Sequence, residues 1–207
     1  RKDVKFQDGT PFNAEAVKYS FDRIIDPKIQ AKNAVALLKP YQSSEVIDDY
    51  TIKINLATPS TAFLSNLSQA MLGIVSPTAA EKYGDQFGKN PVGTGPYKFV
   101  SWADNADIVV GKNKDYHWGP SIVENKDAPY LDKITFKIIP EEATRIGSVQ
   151  SGQVLAAETV PPQNILSLKN DPNTQLLQVN TIGLPYTLFF NQRRAPWNDV
   201  KARKAVQ

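Results

Sequence analysis

The sequence predicts an α/β fold of mixed α+β character, and three observations lead to it. Strand-like and helix-like stretches alternate along the 207 residues. Pairs of alternating runs joined by short polar turns mark hairpins. Between Ile134 and Ala157 a strand, helix, strand unit has a crossover length that suits a parallel pair.

Taken in order, Asn13 follows Pro11-Phe12 and precedes Ala14-Glu15-Ala16, so its side-chain oxygen can cap a helix running to about Ile25. Val17, Phe21, Ile24 and Ile25 fall on one face of it, a core-facing stripe. Ser43 to Ile47 and Thr51 to Leu56, joined by Asp48-Asp49-Tyr50, read as a hairpin with Ile52, Ile54 and Leu56 on one side. Pro59-Ser60 opens a short helix carrying Phe63, Leu64 and Leu67. Ser76 caps a second one with Pro77 in its first position, and Lys82 to Lys89 is loop-like.

From Asn90 to Trp102 a Gly- and Pro-punctuated corner runs into an amphipathic strand. Pro91 and Pro96 fix φ, while Gly93 and Gly95 permit backbone shapes closed to other residues. Gly-Thr-Gly is no phosphate loop here: no Lys-Ser or Lys-Thr follows it, and a strand rather than a helix comes next. Tyr97 to Trp102 and Ile108 to Lys112 form a hairpin across the polar Ala103 to Asp107. Ser121 to Pro129 has the composition of a linker, and a boundary is expected there.

The second part begins with the nearly continuous apolar strand Ile134 to Ile139, as in a sheet covered on both faces. Pro140-Glu141-Glu142 starts a helix through Gln150, Gly152 ends it, and Val154 to Ala157 returns as a buried strand. Such sheets bind ligands beyond the carboxyl ends of their strands, which picks out the turn Glu158 to Pro162. A helix Gln163 to Lys169, strands Leu176 to Asn180 and Tyr186 to Asn191, and a helix from Asp199 to Gln207 complete the chain. Arg1 has no initiator Met before it and the last helix lacks a terminator, so both ends look cut.

With 41% hydrophobic and 22% charged residues the chain can form real cores. The 24 basic and 21 acidic residues give a net charge of +3 and are dispersed, which argues against a nucleic-acid surface. The absence of Cys excludes a disulfide framework and Cys-ligated metals. His117, the single His, sits between Tyr116 and Trp118 and is expected to be structural; alone it builds neither a zinc site nor a catalytic triad. Asp48-Asp49 and Glu141-Glu142 are adjacent pairs whose side chains diverge, which suits turn and helix-start roles better than glycoside chemistry.

Four stretches together resemble one family. They are Val4 to Ile24, Asn90 to Trp102, Tyr130 to Gly152 with Leu-Asp-Lys-Ile-Thr-Phe-Lys-Ile-Ile-Pro and Ala-Thr-Arg-Ile-Gly-Ser-Val-Gln-Ser-Gly, and Tyr186 to Val206 with Pro-Trp-Asn-Asp-Val. Their order is that of the extracellular solute-binding protein family 5, the peptide and nickel receptors of ABC importers, whose members are more than twice as long and have two lobes. The resemblance implies a periplasmic-binding-protein-like lobe, a fragment of the first lobe truncated at both ends. Residues 1–120 would be a mixed strand and helix subdomain, 121–129 a linker, 130–192 the α/β sheet part, and 193–207 the start of the crossing into the second lobe.

The resemblance further implies capture of a peptide or similar small solute by hinge closure, without catalysis or cofactor. The partner would be the membrane subunits of an ABC permease. The protein would be a monomer that is periplasmic or extracellular, free or lipid-anchored. Glu158, Thr159, Val160, Leu184 and Tyr186 are the candidate ligand-facing residues, although Leu184 and Tyr186 suit plain strand packing equally well. The alternative class is a free-standing α/β hydrolase-type enzyme, for which the sequence offers no converging constellation.

Overall fold

The computed structural model describes residues 1–179, 183 and 187–206, and the chain divides into one unit of Arg1–Ile139 and another of Pro140–Gln207. The first unit starts its helices where Asn13 caps them: Asn13 Oδ1 accepts the Ala16 amide at 3.0 Å and α1 runs Ala14–Ile25. Phe21 and Ile24 are buried and Val17 packs beside them, whereas Ile25 is 40% exposed and falls off the expected stripe. A short α2, Lys32–Leu37, follows; its start has no side-chain cap, so the sequence carries no start signal for it.

Strands β1 (Tyr41–Asp48) and β2 (Thr51–Leu56) form the expected antiparallel hairpin, with Val46 opposite Ile52 and Ser44 opposite Ile54. Ile54 and Leu56 face a core of Phe21, Ile24, Leu38, Tyr41, Phe63 and Leu72. Phe63 enters that core from α3 (Phe63–Leu67), while Leu64 on the same helix is 78% exposed. The Phe21 and Tyr41 rings meet edge-on at 5.4 Å, and the Tyr41 hydroxyl donates to Asp22 at 2.8 Å.

Ser76 caps α4 (Pro77–Tyr83) by accepting the Ala79 amide at 3.1 Å, and Pro77 occupies the first position as the sequence predicts. The expected loop of Lys82 to Lys89 is instead the end of α4 followed by a 3-10 helix, Gly84–Lys89. Phe87 explains the difference. It is buried against Ala79 and Ala80, with Tyr83 beside them, and that anchor holds a turn whose glycines read as breakers.

Strands β3 (Tyr97–Trp102), β4 (Asp107–Lys112) and β5 (Lys133–Lys137) make an antiparallel sheet in that order. Ile134 lies opposite Val110 and Phe136 opposite Ile108. This corrects two expectations. The strand predicted at Ile134 to Ile139 is paired to the hairpin rather than into a parallel sheet, and Phe136 is 55% exposed rather than covered on both faces. β5 belongs to this three-stranded sheet of the first unit, so residues 121–129 lie inside that unit, and the division falls at Ile139 and Pro140.

The second unit contains α5 (Glu142–Gln150), α6 (Pro162–Asn170) and α7 (Val200–Lys204). Gly152 follows α5 with φ +72, the left-handed geometry a helix terminator needs. Residues 154–157, 176–179 and 187–191, expected as strands, are not strands, and α7 is shorter than the helix predicted for Asp199 to Gln207. The physical reason is pairing. A strand is defined by its neighbour, and among the described residues Val154 alone of residues 154–157 donates a backbone bond, to the Ser148 carbonyl at 3.0 Å within the turn that closes α5.

Candidate functional site

The Gly-rich corner is bound into the first unit by its carbonyls. Gln7 Nε2 donates to the carbonyls of Gly95 at 3.1 Å and Tyr97 at 2.8 Å, Asn113 Nδ2 donates to Gly95 at 3.1 Å, and Trp118 Nε1 donates to Thr94 at 2.8 Å. Three side chains from distant segments therefore hold one turn. Neither Gly93 nor Gly95 has a left-handed φ, and a Cβ on Gly93 would meet open space. The conformational need for glycine that the sequence suggested is thus not what shapes the corner; the hydrogen bonds are. The corner turns acceptors inward, the opposite of an anion cradle.

His117 sits beside this corner. One ring nitrogen lies 2.7 Å from the Asp115 carbonyl, the other lies 4.0 Å from Asp3, and the ring packs edge-on against Trp118. Arg1, hydrogen-bonded to Asp3, holds that carboxyl down at about 2. Among the described residues no group of three or more His, Cys, Asp or Glu stands ready to hold a metal ion, and no helix is long and apolar enough to cross a membrane.

The turn Glu158 to Val160 lies in the second unit and is built from both of its longer helices. Glu141 caps α5, its two carboxylate oxygens accepting the amides of Ala143 at 2.9 Å and Thr144 at 2.5 Å. Bonds from Thr144 and Ala143 hold that carboxyl below its ordinary range, as befits an anion at a helix start. Arg145, on the first turn of α5, donates from Nη1 to the Pro140 carbonyl at 3.3 Å and from Nη2 to the Thr159 carbonyl at 3.2 Å. On the other side Pro161 precedes α6 and Pro162 opens it, fixing the chain's exit.

Between these supports Thr159 adopts φ +63. A β-branched residue in the left-handed region costs about 1–3 kcal/mol and persists only where its surroundings hold it. Glu158 and Thr159 are exposed and Val160 is half-buried, lining a cavity of about 520 Å³ with Ile146, Val149, Leu168 and Leu177. Leu184 and Tyr186, the second segment of the expected site, lie outside the described residues. Residues 154–157 are not a strand, so the turn does not follow the carboxyl end of a parallel strand as expected. Sequence reasoning passed over Arg145. Its one trace there was a cation in the first turn of an acid-started helix, a place the helix dipole disfavours.

Comparison with known proteins covers the whole chain. The family model described as bacterial extracellular solute-binding proteins, family 5 Middle, matches residues 1–207. The glutathione-binding protein GsiB of Shigella flexneri is 36% identical over 206 residues, which is 100% of this chain and 38% of that protein. Among solved structures, the periplasmic binding protein DppA of Helicobacter pylori in complex with peptide STSA is 30% identical with a TM-score of 0.72, covering 83% of this chain and 36% of that one. NikZ of Campylobacter jejuni in complex with Ni(L-His) is 25% identical with a TM-score of 0.78, covering 100% of this chain and 40% of that one. The chain thus spans about 38% of the length of the curated relatives it matches.

Proposed function

We propose, because this chain belongs to the bacterial extracellular solute-binding proteins of family 5, that it is the first-lobe part of the substrate-capturing component of an ABC importer. The observation that carries this reading is the match of the family over residues 1–207. The cargo is a peptide or a peptide-like solute: one relative is a glutathione-binding protein and another was solved with a peptide. Capture needs no bond to be made or broken. The receptor closes two lobes on the solute and opens again at its membrane permease, so the ligand selects the closed state by touching both sides.

Within this reading Glu158, Thr159 and Val160 form part of the first-lobe wall of the cleft, and Leu184 and Tyr186 continue it. An extended solute would pair its backbone with exposed main-chain groups there, with side chains giving selectivity. The receptor works as a monomer on the outer side of the cytoplasmic membrane, without nucleic acid and without a cofactor. Native mass spectrometry of the full-length receptor tests the cargo. A copurified di- to tetrapeptide, or retention of added glutathione, is the expected result. Retention of a nickel chelate with rejection of every peptide would contradict the peptide assignment.

A further inference from the structure

Arg145 is attached to two carbonyls that are far apart in sequence, Pro140 at 3.3 Å and Thr159 at 3.2 Å. The second of these belongs to the residue with φ +63. A peptide unit is planar and trans, so the Thr159 carbonyl and the Val160 N–H point in opposite directions. With the carbonyl held toward α5, the Val160 N–H is turned away from it. Among the described residues that N–H has no hydrogen-bond partner.

From this geometry we propose that Arg145 is a positioning residue for solute capture. It clamps the Thr159–Val160 peptide plane and presents the Val160 amide as a donor to a carbonyl of the bound solute. The inference rests on the reading of Glu158 to Val160 as cleft wall, and it adds the group that sets the wall's hydrogen-bonding direction. An Arg suits the task because its planar fork can hold two acceptors at once, which a Lys ammonium on a flexible stem does less rigidly. A threonine that resists the left-handed region needs such a clamp, whereas a glycine would not.

The test uses the full-length receptor as wild type, Arg145→Ala, and Arg145→Ala combined with Thr159→Gly. Affinity is measured by calorimetry with glutathione and with a mixed tri- and tetrapeptide pool, and the turn is read from crystal structures. Loss of a hydrogen bond to a charged donor predicts that Arg145→Ala weakens binding at least about tenfold. Thr159 should then leave φ > 0, the thermal midpoint should change little, and Thr159→Gly should restore part of the affinity. If Thr159 keeps its conformation in Arg145→Ala, the clamp is overturned. If Thr159 moves but affinity for both probes is unchanged, the clamp stands, while presentation of Val160 and the assignment of this turn to the cleft are both overturned.

Discussion

Asp8 and Ser76 show how single residues join distant parts of the first unit. Ser76 is fully buried; its hydroxyl donates to Asp8 at 2.5 Å and accepts the Ala79 amide at 3.1 Å, so one oxygen caps α4 and satisfies a carboxylate 68 positions away. Asp8 also accepts the Thr10 amide at 3.0 Å and hydroxyl at 2.6 Å. Partial burial alone would push the Asp8 carboxyl up, but the Ser76 and Thr10 bonds outweigh it and hold the carboxyl below its ordinary 3.8. Its folded pKa lies below its unfolded one, so its contribution to stability is complete above 3.8 and is lost as pH falls through the folded value. Asp8→Asn should therefore flatten the acid limb of a stability-versus-pH curve measured by denaturant unfolding. Ser76→Ala, which removes a cap, should cost about 0.5–2 kcal/mol at neutral pH in the same assay. Gly93→Ala should stay within about 0.5 kcal/mol of the parent chain, because its Cβ meets open space.

At the level of elements, the first unit was the more readable from sequence because its signals are local. Asn13 and Ser76 announce their helices, and the alternation around Asp48 to Tyr50 and Ala103 to Asp107 gives both hairpins. Phe21 sits at the centre of this unit's main core, and Phe21→Ala should cost about 3–5 kcal/mol, read as a fall in the denaturation midpoint. In the second unit α5 was legible through Glu141 and Gly152 and α6 as the helix read from Gln163, while the runs read as strands at residues 154–157, 176–179 and 187–191 are not strands. Apolar, β-prone runs such as Val154 to Ala157 report a preference for pairing but do not name a partner. Leu155 is 98% exposed and Leu177 79% exposed, so this preference is unmet within the described residues. Arg145 was illegible for a related reason: its acceptor at Thr159 lies 14 positions on and is a backbone atom. In the isolated chain, amides 155–157 and 175–179 carry no hydrogen bond among the described residues. They should exchange near the unstructured rate, with the helical amides of Ile146 and Leu168 protected at least about a hundredfold more. Equal protection of both sets would mean that these segments are paired after all.

At the scale of the molecule, the chain carries about 38% of the length of its curated relatives. A receptor that holds its solute between two lobes divides its contacts between them, and one wall alone loses the contacts of the other along with the closure that expels water. The candidate wall in this chain rests on Glu158, Thr159 and Val160, backed by α5 and α6. Calorimetric titration of a mixed di- to tetrapeptide pool into residues 1–207 and, in parallel, into the full-length receptor puts this division to the test. Saturable binding by the full-length receptor, with none or only weak binding by the isolated chain, is the predicted result. Tight, saturable binding by the isolated chain would contradict it.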